Sequence, residues 1–134
     1  MVKQFTQGGE SDGELFSQIG KFALSKAVHE QLGVAVTGEP GDVWLIGIKD
    51  KETSGFAQVR AINPTTVHLR YLYSDSLPMV LELGYAAIKL AKQMGFETIY
   101  ANERRDSPMM RDLGFIKTTD SGKTKFCRWE SSPI

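Results

Sequence analysis

The sequence predicts an α/β (α+β) fold: a mixed, mostly antiparallel sheet of about six or seven strands, flanked by helices. Three observations carry this. Apolar runs at Val43 to Ile48, Phe56 to Ile62 and Val67 to Ser74 follow one another through short polar connections, as in an antiparallel meander. A long segment with helical apolar spacing, roughly Leu77 to Met94, then leads to a further strand, Phe96 to Ala101; strand, helix and strand in that order imply a crossover with local parallel pairing. The tail holds two more strand-like runs, Phe115 to Thr118 and Lys123 to Trp129, joined at Asp120-Ser121-Gly122.

Each element has a local cause. Val2 to Thr6 reads as a short strand ended by Gly8-Gly9. Ser11-Asp12-Gly13-Glu14 has the form of a capping box, with Ser11 as N-cap and Glu14 reaching back. A helix follows to about Leu32, its apolar face made by Leu15, Ile19, Phe22, Ala23 and Ala27, and Gly33 stops it. The run from Val43 to Ile48 is apolar nearly throughout, as in a strand covered on both faces. Lys49 to Gly55 reads as a polar turn, and Asn63-Pro64 as another. In the third meander strand Val67, Leu69, Tyr71 and Tyr73 alternate with His68, Arg70, Leu72 and Ser74. Ser76 or Asp75 can cap the long helix, Pro78 is tolerated in its first turn, and Gly95 ends it. Ser107-Pro108 opens a short helix through Leu113, ended by Gly114.

Composition narrows the function classes. At 134 residues and 14.9 kDa, one domain spanning 1–134 is expected. Hydrophobic residues at 41% and charged residues at 24% place the chain among folded globular proteins rather than disordered ones. Lys plus Arg and Asp plus Glu both number 16, so the net charge is zero and strong nucleic-acid binding is not expected. The longest apolar stretch, 79–91, is interrupted by Glu82 and Lys89, so no membrane span is expected. The first residues have no apolar core of a signal peptide, and a lone cysteine, Cys127, forms neither an internal disulfide nor a metal cluster; both point to a cytoplasmic protein without a metal site.

Three motifs occur in order behind the meander: Ala91-Lys92-Gln93-Met94-Gly95-Phe96, then Ile99-Tyr100-Ala101-Asn102, then Met109-Met110-Arg111-Asp112-Leu113-Gly114-Phe115. With the element order, they resemble the GNAT family of acyl-CoA-dependent N-acyltransferases along the whole chain. The resemblance implies transfer of an acetyl or related acyl group from acetyl-CoA, or another acyl-CoA, to a small-molecule or protein amine by direct attack in a ternary complex. It implies that Leu72, Tyr73, Ser74, Asp75, Ser76, Leu77, Asn102, Arg104, Ser107 and Met110 border the cofactor, with Arg105 beside them. It makes Tyr73 and Glu103 the catalytic candidates, as proton donor and general base. It also implies pairing of two copies through a C-terminal strand such as Lys123–Trp129.

The sequence departs from the family pattern at two points. The family's glycine-rich phosphate loop is replaced by the shorter Asp75-Ser76-Leu77-Pro78, where Asp75 sets an anion against an anion. The family's tyrosine falls on Met110, which cannot donate a proton. Each candidate also has a plain reading: Tyr73 packs on the sheet beside Val67, Leu69 and Tyr71; Glu103 is a solvated loop carboxylate; Arg104 and Arg105 pair with Asp106. His68 and Arg70 share a strand face, which allows a small polar site there. Two other functions stay open: a GNAT-like module without catalysis, kept for binding a protein partner or for a structural assembly, and a relative using another donor or modifying a nucleic-acid base.

Overall fold

A computed structural model describes residues 1–119, 124–131 and 133. The elements are β1 (Val2–Thr6), α1 (Asp12–Ala23), α2 (Lys26–Leu32), β2 (Val43–Lys49), β3 (Glu52–Asn63), β4 (Thr66–Ser74), α3 (Leu77–Gln93), β5 (Thr98–Arg104), α4 (Pro108–Asp112), β6 (Ile116–Thr119) and β7 (Phe126–Ser131). The strands form a seven-stranded sheet in the order β1-β2-β3-β4-β5-β7-β6. Every neighbouring pair is antiparallel except β4 and β5, which run parallel across the α3 crossover. The expected mixed, mostly antiparallel sheet is therefore present. The turn at Asp120-Ser121-Gly122 and Lys123 lie outside the described residues. No helix of the described residues is long and apolar enough to cross a membrane.

Three local expectations change. The helix expected to run unbroken to Leu32 divides at Leu24-Ser25: Ser25 is extended, and its hydroxyl accepts from the Val28 N–H at 3.3 Å, starting α2 afresh. The capping box does not form. Ser11 makes no side-chain cap; the Asp12 carboxylate instead accepts from the Gly8 and Gly9 N–H groups, and Glu14 binds Lys3 of β1. The polar turn between β2 and β3 shrinks to Asp50 and Lys51, both at positive φ (53° and 67°), so β3 begins at Glu52 rather than Phe56.

The sheet separates two cores. Val43, Leu45, Val59, Leu69, Leu83, Ala87, Ile99, Met110 and Trp129 fill the side covered by α3. Phe5, Leu15, Ile19, Trp44, Ile46, Phe56 and Tyr71 fill the side covered by α1 and α2. Successive residues of β2 enter opposite cores, which is why its sequence is apolar without alternation. Burial of each large side chain contributes about 1.5–3 kcal/mol.

Two irregularities shape the middle of the sheet. Between the pairs Val59↔Leu69 and Gln58↔Tyr71 the register shifts, leaving Arg70 as an extra residue in β4. The alternation of β4 is thereby inverted. Val67 and Leu69 face α3, but Tyr71 and Tyr73 join the opposite core, and Leu72 takes the α3 side. The grouping of Tyr73 with Val67 and Leu69 is corrected on this ground. Second, the parallel pairing of β4 with β5 covers Thr66↔Thr98, Val67↔Ile99 and His68↔Tyr100. Beyond it β5 continues to Arg104 paired with β7 alone, and among the described residues the β4 edge from Tyr71 to Ser74 has no strand beside it. β7 has both edges occupied, by β5 and β6, so the strand expected to pair two copies presents no open edge.

Candidate active site

The opened seam between β4 and β5 has a cavity on each side of the sheet. On the α3 side lies a groove of about 450 Å³, bordered by Leu72, Ser74, Asp75, Leu77, Glu103, Arg104, Asp106 and Ser107. The chain reaches it for local reasons. The Ser74 hydroxyl donates to the Ser54 carbonyl at 2.6 Å and accepts from the Ser76 N–H at 3.1 Å, which fixes the turn from β4 into α3. α3 then opens at Leu77, with Ser76 as N-cap, directing its free N–H groups toward this end of the sheet.

Glu103 is the group with unusual chemistry here. Burial pushes its carboxyl up to about 7, against the opposing pull of the Arg104 N–H, 3.3 Å away, and of the Arg104 charge. A carboxyl poised there takes up and releases a proton near neutral pH.

The remaining sequence candidates lie elsewhere. Tyr73 sits on the opposite face of the sheet, its ring 5.6 Å from Phe22 and 6.0 Å from Phe56. Met110 is fully buried in the α3 core. Ser76 acts through its backbone at the helix start and is not on the groove wall. Arg105 turns away, its N–H donating to the Lys125 carbonyl and its guanidinium to the Thr124 carbonyl.

Asn102 borders the second cavity, of about 420 Å³, on the α1 and α2 side. Its other walls are the segment from Leu32 to Thr37, His68, Arg70 and Tyr71 of β4, and Phe126 of β7. Gly33 adopts φ 81°, and a Cβ there would stand 2.8 Å from the Phe126 ring, so only glycine lets this segment lie on β7. The segment is then pinned from below. Tyr71 Oη accepts from the Thr37 N–H and donates to the Ala35 carbonyl, each at 3.0 Å, while Gln58 Nε2 donates to the Thr37 carbonyl at 2.8 Å. Leu32 borders both cavities, so they meet at the end of α2.

Charge under this cavity is arranged in a row. Asp42, 1% exposed, accepts from Arg60 at 2.7 and 2.6 Å and stands 3.7 Å from Arg70. Burial alone would raise the Asp42 carboxyl, but the bonds from Arg60 and the Glu39 N–H, with the charges of Arg60 and Arg70, hold it below its ordinary value. His68 stacks on Tyr100 at 4.3 Å, and Arg128 lies 3.8 Å from the same ring. Burial, then the charges of Arg70, Arg128 and Arg60, press the His68 imidazole down to about 4, so it is neutral at pH 7. His68 and Arg70, which share a strand face in the sequence, border one cavity; the loop from Leu32 to Thr37 on its wall, and Asp42, Gln58 and Arg60 behind it, were not foreseen. A glutamine and an arginine within an apolar strand, at Gln58 and Arg60, were the available signal.

Comparison with known proteins places this architecture. No family model matches the chain, and no curated protein does. Among solved structures, an acyl-CoA N-acyltransferase from Pseudomonas aeruginosa superposes with a TM-score of 0.74 at 11% identity, over 98% of this chain and 99% of that one. An aminoglycoside 6'-N-acetyltransferase from Enterococcus faecium gives 0.69 at 13% identity, over 100% and 97%. The PaiA N-acetyltransferase from Thermoplasma acidophilum, solved with coenzyme A, gives 0.60 at 14% identity, over 98% and 99%. With the inverted alternation of β4, the opened seam and the crossover through α3, the chain has the GNAT fold of the N-acyltransferases.

Proposed function

We propose that the protein is an N-acyltransferase that moves an acetyl or related acyl group from an acyl-CoA to an amine. The observation that carries this reading is the seam between β4 and β5, open from Tyr71 onward and flanked by a cavity on each face. The bare β4 edge from Tyr71 to Ser74 offers backbone groups to an amide-bearing pantetheine arm, Leu72 and Leu77 give the groove apolar wall, and Arg104 supplies a cation for phosphate. Asp75 and Asp106 oppose that phosphate, so these residues fit the pantetheine better than the pyrophosphate.

Bound acyl-CoA supplies the acyl group as a thioester. Glu103 takes the proton of the attacking amine as the N–C bond forms and the C–S bond breaks, and returns it to the departing sulfur, so the products are an amide and a free thiol. Tyr73, on the far face, is not needed in this scheme. The single buried cysteine fits a reducing, cytoplasmic setting.

Calorimetry with acetyl-CoA and with free coenzyme A tests the reading. Micromolar binding of both is expected; no heat at millimolar ligand would retire it.

A further inference from the structure

With acyl transfer as proposed above, on which this step rests, we propose that the second cavity is a charge-selective acceptor site: it takes a small apolar amine carrying a carboxylate, of the amino-acid class, and excludes polycationic amines.

Size and wall set the first limits. About 420 Å³ accommodates one small molecule, and Leu32, Val34 and Phe126 give it an apolar side. The acceptor nitrogen leaves the cavity beside Leu32, where the two cavities meet, toward Glu103 of the groove.

Charge sets the rest. Arg70 is the charged side chain on the cavity wall among the described residues. Its four terminal N–H donors are spent on the Thr37 carbonyl, Gln58 Oε1, Thr37 Oγ1 and Tyr71 Oη, so it acts through its field rather than by a free fork. The carboxylates behind it are committed. Asp42 is held by both Arg60 bonds, Glu39 lies on Arg60, and Glu130 pairs with Arg128. His68 and Asn102 border the cavity, and neither side chain bonds another described residue. A neutral imidazole and a carboxamide each carry an N–H donor. A carboxylate entering the cavity therefore meets two unspent donors in a positive field, and a second ammonium meets no carboxylate.

The reaction balances as above: the amino nitrogen bonds to the acyl carbon, the C–S bond breaks, and the products are an N-acyl amino acid and a thiol.

Calorimetry on the full chain without acyl donor tests this, using L-leucine, L-methionine and L-phenylalanine, their C-terminal amides, and spermidine. At least one amino acid is expected to bind about tenfold or more tighter than its amide, with spermidine not binding. Equal affinity for acid and amide, tighter spermidine, or no binding by any of the three acids would overturn the proposal. The near-isosteric Asn102→Asp, checked for an unchanged melting temperature, is expected to prefer amides over acids; an unaltered preference counts against the assignment of Asn102. Acetyl-CoA titrated in parallel separates the two readings. Acids that bind while acetyl-CoA does not would leave this site standing and remove the acyl-transfer reading. Acetyl-CoA that binds without any preference for a carboxylate would do the reverse.

Discussion

The guanidinium of Arg70 donates to the hydroxyl of Tyr71 at 3.1 Å, although neighbours in a regular strand face opposite sides of a sheet. The bond is possible only because Arg70 is the extra residue of the β4 bulge, which sets both side chains on the α1 and α2 face. From that point β4 is out of phase with its first half and, still paired with β3, has no described strand on its β5 side. The same residue thus opens the seam, gives the second cavity its charge and helps to hold the loop that roofs it.

Removing the anion beneath this arrangement should cost much of the fold. Asp42→Ala leaves Arg60 and Arg70 partly buried without their carboxylate, and a loss of about 3 kcal/mol is expected in urea denaturation at pH 7. The carboxyl is held below its ordinary value, so its contribution is present above that value and fades as pH falls through the lowered one. The deficit of the variant should therefore be constant from pH 8 to pH 5. A deficit that vanished at pH 6 would show that another group carries the coupling.

Glu103 makes a prediction of opposite sign. With its carboxyl raised to about 7, turnover should climb as pH rises through 7, and Glu103→Gln should lower kcat about 100-fold and flatten that profile. The folded chain holds this proton more tightly than the unfolded one, so stability falls as pH rises from 4.5 toward 7. Glu103→Gln should accordingly be more stable than the parent at pH 8, by roughly 3 kcal/mol, and indistinguishable from it at pH 4. A variant less stable than the parent at pH 8 would mean that the carboxylate has a favourable partner.

Much of this architecture is legible in the sequence because it rests on periodicity. The apolar face of α3, the even apolar run of β2 and the strand, helix, strand order each state their pairing directly. The bulge is not legible: Val67, Leu69, Tyr71 and Tyr73 keep a perfect alternation on paper, and only the pairing with β3 shows that it is broken after Leu69. That one slip moved Tyr73 out of the groove. The helix break at Ser25 escaped for a related reason, since Ala27 and Val28 continue the apolar spacing across it. Glu103 and Arg104 are legible because they follow the strand end expected at Ala101, although β5 runs on through both. The second cavity depends on a loop brought from thirty-odd residues away, as in the bond from Thr37 to Tyr71, and distance along the chain hides it.

His68 should govern the acid side. Its imidazole is held near 4 against an ordinary 6.5, so the unfolded chain takes up a proton that the folded chain refuses. Relative to a chain without this titration, stability should therefore decline as pH falls from 6.5 toward 4, by roughly 3 kcal/mol at the lower end, against the opposite trend that Glu103 sets. His68→Phe keeps a ring against Tyr100 and removes the titration, so its stability in urea should gain on that of the parent as pH falls through that window. The Asp42 contribution lies below this range and Glu103 acts on both proteins alike, so a difference between parent and variant that did not change with pH would show that His68 does not carry the decline.

Asp75 is where charge and backbone can be separated. It borders the groove immediately before α3, at the position that a pyrophosphate approaching the helix N-terminus would meet. An exposed carboxylate there repels phosphate with an energy near 1 kcal/mol, which corresponds to about fivefold in affinity and shrinks with added salt. Asp75→Asn should tighten coenzyme A binding by about that factor at low ionic strength, with less gain at high salt. Asp75→Gly removes the same charge and also lets the backbone come closer to an anion. If the glycine variant gains more than the asparagine one, the missing glycines limit this loop. If both gain equally, charge alone limits it. If neither gains, the phosphates lie elsewhere, and Arg104 is the residue from which to follow them.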